Sequence, residues 1–91
     1  MIFHRDLGKT KQERTKKLSA LIRKGEICYG GYFKAKIYGL LRCASGRRMK
    51  LENRVFFKDE NAAIKDGFRP CGHCLTEKYR QWKTAGLEHL E

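Results

Sequence analysis

Cys71 and Cys74, in the stretch FRPCGHC at residues 68–74, constrain this chain more than any other feature. Two intervening residues turn both sulfurs toward one point, which suits a shared metal, a redox dithiol or a small disulfide. A thioredoxin-like redox pair opens a helix directly after a hydrophobic strand in a βαβ setting. Here GFRP precedes the pair, and no βαβ pattern is present. The start MIFHRDLGKTK lacks the apolar stretch and cleavage site of a secretory leader, and no apolar run approaches a membrane span. The expected setting is the cytoplasm, where thiols stay reduced and such a motif is expected to hold metal.

A structural zinc ion takes four tetrahedral ligands, usually thiolates or imidazoles. Cys71 and Cys74 supply two, with Pro70 stiffening the approach. Cys43, in LLRCASG, follows an apolar segment and is the natural third. Cys28 sits inside ICYGGYF, where a strand cysteine is expected to be buried as a small apolar side chain. His73 fills the turn between the paired cysteines and is expected to point away. A chain of 91 residues makes one modest core, near the size where a metal adds needed stability.

The remaining pattern predicts an α+β fold, a small antiparallel sheet with flanking helices around a structural zinc site. Thr10 and Glu13 have capping-box spacing ahead of a helix that places Leu18, Leu21 and Ile22 on one face. Gly25 supplies its stop. Residues 27–33 and 35–41 read as two strands joined by a turn near Lys34, and RVFF (54–57) reads as a third. Asp59 caps a short helix through Ala62, Ala63 and Ile64, ended by Gly67. Residues 75–85 read as a last helix, with Leu75, Tyr79 and Trp82 about a turn apart. The expected organisation is a basic helical segment over 1–24 and a metal-binding unit over 25–91, forming one compact domain.

Charge is unevenly placed. Residues 1–58 carry sixteen Lys/Arg against four Asp/Glu, residues 59–91 five against six, and the net charge is +11. A positive field confined to one part of a small domain suits a polyanion, most simply DNA or another nucleic acid. The competing expectation is a structural zinc module that mediates protein contacts, its basic residues serving solubility.

The run KIYGLLRC, followed by ENRVFFKDENAAIKDGFRPCGHC, resembles the metal-binding domain of the Ada DNA-repair methyltransferase family over about residues 25–75. The closing GFRPCGHC is the most specific part. The resemblance implies zinc as cofactor, held by Cys43, Cys71 and Cys74, with a fourth cysteine that accepts a methyl group from a DNA phosphotriester. That acceptor stands directly after Ile37-Tyr38 in the family, and this chain has Gly39 there. The implied role is therefore that of a non-enzymatic module that binds DNA without taking the methyl group. The fourth ligand is left open between Cys28, His4, a water and none. The resemblance also places Arg69 near the DNA backbone, and Arg47, Arg48 and Lys50, in the loop after Cys43, become candidate phosphate contacts.

Overall fold

The computed structural model describes residues 1–43 and 49–89. In chain order the elements are β1 (Ile2–Phe3), a 3-10 turn (His4–Leu7), α1 (Lys11–Arg23), β2 (Tyr29–Tyr32) and β3 (Ile37–Leu40). A second 3-10 turn (Leu51–Asn53), β4 (Arg54–Phe57), α2 (Glu60–Lys65), β5 (Arg69–Pro70) and α3 (Thr76–His89) complete the chain. The class is α+β, as the pattern predicts. The five strands form one sheet in the order β1-β4-β2-β3-β5.

Local chemistry accounts for most of these bounds. The Thr10 hydroxyl accepts the Glu13 amide at 3.1 Å and opens α1, while the Glu13 carboxylate takes the Lys9 amide at 3.0 Å. The Asp59 carboxylate accepts the Ala62 amide at 2.8 Å and opens α2. Gly25 and Gly67 follow the two helices with φ of 75° and 86°, a region closed to most side chains. Between β2 and β3 the chain turns through Phe33–Lys36, where Lys36 itself adopts φ 56°. The Lys36 ammonium lies 4.0 Å from the Phe33 ring centroid and 5.1 Å from that of Phe68, which fastens this turn to the core.

The sheet departs from the purely antiparallel expectation at one edge. β5 runs parallel to β3, pairing Ile37 with Arg69 and Tyr38 with Pro70. Two residues with a proline carried too little strand pattern to be read from sequence. The N-terminal segment also supplies more than its expected helix, because β1 pairs Ile2 with Phe56 and Phe3 with Val55. The strand predicted over 27–33 begins only at Tyr29, and that predicted over 35–41 is trimmed to Ile37–Leu40.

Side chains alternate across the sheet, so its two faces differ in kind. One face carries Tyr38, Val55 and Phe57, which close on Ala63 of α2 and on Phe68 to form the core. The Phe57 and Phe68 rings meet nearly edge-on at 4.8 Å. Tyr38, only 1% exposed, donates its hydroxyl to the Glu60 carboxylate at 3.0 Å. The other face brings Gly30 opposite Gly39 on one side and opposite Phe56 on the other. Two facing glycines leave a floor without side chains, and a cleft opens over it. Among the described residues, no helix is long and apolar enough to cross a membrane.

Candidate metal centre

β5 decides where the cysteines go. The Arg69 amide bonds to the Lys36 carbonyl and the Cys71 amide to the Tyr38 carbonyl, both at 2.8 Å. That pairing lays the turn 71–74 against the end of β3. Cys43 returns to the same place because its own amide closes a turn onto the Leu40 carbonyl at 3.1 Å. The result is a cluster in which the sulfurs of Cys43, Cys71 and Cys74 all lie within 4.8 Å of one another.

The spacing suits a metal. Sulfurs on a tetrahedral zinc with bonds of about 2.3 Å stand about 3.8 Å apart. The Cys43 and Cys71 sulfurs are 3.8 Å apart. Backbone amides aim at the cluster as they do at metal-bound thiolates: Leu40 donates to Cys74 at 3.3 Å and His73 to Cys71 at 3.4 Å. Burial comes first in pushing the Cys74 thiol up to about 12; the neighbouring Cys43 and Cys71 add to the rise, while the Leu40 amide opposes it. Without a cation the Cys74 sulfur therefore favours its protonated form, and a metal must displace that proton to bind it.

Neither protein candidate for a fourth ligand joins this cluster. Cys28, expected to be buried in a strand, is exposed and sits just before β2, its thiol directed at the Gly25 carbonyl at 3.7 Å. Its amide bonds to the Phe57 carbonyl, so the backbone joins the ladder while the side chain faces solvent. His4 meets the Phe56 ring edge-on at 5.4 Å. Burial, then the charges of Arg54 and Arg14, hold its pKa below the usual histidine value. Residues 44–48, ASGRR, contain no Cys, His, Asp or Glu.

Gly39 lies at the centre of the site. A side-chain carbon there would stand 2.7 Å from the Cys74 sulfur and 3.1 Å from the Cys71 Cβ. The room that a fourth side chain would need is already taken up by the approach of Cys74 to the strand backbone.

The glycine-floored cleft runs from this cluster across the sheet. Gly39, Cys43, Cys71, His73 and Tyr79 line one part of it; Lys34, Lys50, Arg54 and Arg69 line it as well. None of these four cations is in an ion pair among the described residues, where the pairs are Met1–Asp66, Arg5–Asp6 and Lys78–Glu60. Arg69 donates to the Pro70 carbonyl at 2.9 Å, and its guanidinium lies over the rings of Tyr79 and Trp82. Lys50 is exposed at the entry to the second 3-10 turn. Arg54 was not foreseen as a site residue, because in sequence it reads only as the first residue of a strand. Arg47 and Arg48 lie outside the described residues.

Fold and site together define a small α+β metal-binding domain, organised around three convergent thiols at a sheet edge. The family described as the metal binding domain of Ada matches residues 23–77, and the chain belongs to it. Zinc, with which the three-thiol cluster is consistent, is the cofactor this implies. No curated protein and no solved structure matches the chain.

Proposed function

We propose that this chain is a zinc-stabilised module that binds nucleic acid through the cleft beside its metal. Cys43, Cys71 and Cys74 hold the ion. Lys50, Arg54 and Arg69 contact phosphates, joined by Arg47 and Arg48 from the segment that leads from Cys43 to Lys50. The observation that carries the reading is the cleft itself, with four cations that make no ion pair among the described residues around a floor of two glycines. A floor without side chains lets a backbone approach closely, and unpaired cations are the groups that phosphates displace counterions to reach.

The module acts without chemistry of its own. Methyl transfer from a phosphotriester needs a zinc-activated thiolate in line with the methyl carbon, and Gly39 offers no sulfur at the matched position. Three thiolates also outweigh the charge of one Zn²⁺, which makes the ion a poor activator of water.

Fluorescence anisotropy with a labelled oligonucleotide tests the binding. Affinity should fall steeply with salt, and Lys50→Glu with Arg54→Glu should weaken it and lower the salt slope by about two contacts' worth, roughly 0.9 for each. Undetectable binding at low salt in the folded, zinc-loaded protein would refute the reading in favour of a protein-contact module. Whole-protein mass spectrometry after incubation with methyl-phosphotriester DNA should show no added methyl.

A further inference from the structure

The family match ends at residue 77, yet α3 continues beyond it and carries the only tryptophan of the chain. Tyr79 and Trp82 lie three residues apart on this helix, and their rings stack with centroids 5.9 Å apart and planes 24° from parallel. The Arg69 guanidinium, reaching across from β5, lies 5.0 Å from the Tyr79 centroid and 5.6 Å from that of Trp82. Its bond to the Pro70 carbonyl fixes it there. This is an ordered stack of cation and two aromatic rings, but Trp82 remains 47% exposed.

The position of the stack gives it meaning. Tyr79 and Arg69 both line the cationic cleft, so the platform stands at the cleft's edge and Trp82 extends it outward. Tyr79 also packs beneath Gly72 in the metal turn, where an added carbon would meet its ring at 3.5 Å. The metal turn and the platform thus pack directly against each other. Arg80 and Lys83 are exposed on the same helix and keep the surroundings positive.

We infer that Trp82, backed by Tyr79 and Arg69, is a stacking platform for an unpaired nucleobase, and that the chain prefers single-stranded or locally opened nucleic acid to intact duplex. The inference rests on the nucleic-acid reading of the cleft and adds to it the state of the ligand. Bases inside a duplex have both faces covered by neighbours; a splayed base presents a free π-face to Trp82 while its phosphates lie along Lys50 and Arg54. An aromatic plane with a guanidinium over it suits any base, so selectivity is for strandedness rather than sequence.

Because Trp82 is the single tryptophan, its fluorescence reports contact directly. The zinc-loaded full chain is titrated with an oligothymidylate 12-mer and, separately, with a blunt hairpin duplex, at low and moderate salt. The expected results are quenching of Trp82 by the single strand, weaker quenching by the duplex, and tighter binding of the single strand. Trp82→Ala should lose about 5- to 150-fold in single-strand affinity, the range that one base–aromatic stack supplies, with Trp82→Phe retaining most of it. Circular dichroism should be unchanged, because the side chain is half exposed. Equal binding of both forms with no change in Trp82→Ala would overturn the platform while leaving the cleft reading intact. Binding of neither form overturns both. A duplex preference that survives Lys50→Glu and Trp82→Ala alike also overturns the inference.

Discussion

Replacing Gly39 by alanine adds one carbon at the most crowded point of the metal site. That carbon would lie 2.7 Å from the Cys74 sulfur, where ordinary contact begins at 3.4 Å, so the sulfur must retreat by about 0.7 Å (3.4 less 2.7). The Cys71 Cβ, at 3.1 Å, leaves little room on the other side. A bound metal tolerates ligand displacements of only about 0.2 Å, so the ion must follow Cys74 away from Cys43 and Cys71 or lose it. Overpacking of this kind costs about 1–3 kcal/mol. If the cost falls wholly on the loaded state, the zinc dissociation constant rises by a factor of about 5 to 150, at a decade per about 1.4 kcal/mol. Competition against a chromophoric chelator measures that constant, and urea denaturation of the loaded protein measures the accompanying loss of stability. An alanine variant within twofold of wild type in zinc affinity, with an unchanged urea midpoint, would refute the close approach of Cys74 to the strand. Gly39→Cys carries the same carbon, so the same crowding should keep a simple restoration of the missing thiolate from tightening zinc binding.

Cys71→Ser removes the most buried of the three clustered thiols, and the purified variant should lack zinc and much of its folded signal by elemental analysis and circular dichroism. Zinc affinity should rise with pH: a Cys74 thiol pushed up to about 12 is protonated at neutral pH in the metal-free protein, and its proton must be released when the sulfur binds zinc. Titration calorimetry in buffers of different ionisation enthalpy should therefore count at least one proton released per zinc, and a count of zero would contradict the burial of that thiol. Phe57→Ala, which empties a 1%-exposed site against Phe68 and Ala63, should cost about 3–5 kcal/mol of unfolding free energy by urea denaturation. The Glu60 carboxylate is held below its usual pKa by its bond from Lys78, with the Tyr38 hydroxyl also contributing. A lowered carboxylate pKa stabilises the fold above its unfolded value and loses that effect as pH falls through the folded one. Glu60→Gln should flatten the acid limb of the stability profile.

Signals that act within a few residues were legible without the fold. Thr10 and Asp59 announced helix starts because a side-chain oxygen and an amide three residues on meet in any helix that begins there. Gly25 and Gly67 announced stops for a similarly local reason, and RVFF fills its strand to the residue. The Cys71–Cys74 pair was readable because the turn alone aims both sulfurs. Cys43 was nominated by ligand arithmetic and family resemblance, but its meeting with that pair depends on β5 lying parallel to β3, a pairing across about thirty residues that two residues cannot signal. The same long-range register turned Cys28 outward, against its expected burial, and seated His4 on Phe56 instead of at the cluster. It also set Gly39 beneath the Cys74 sulfur, which gave an absent side chain its steric meaning. Arg54 became part of the cleft, and Arg69 met Tyr79 and Trp82, only once β4, β5 and α3 were assembled. Sequence alone determined the candidate metal-binding residue types and the helix caps and stops, since these depend on neighbours along the chain. The tertiary structure decided which of those groups share a point in space, because convergence depends on strand register and on the side of the sheet to which each residue's parity assigns it.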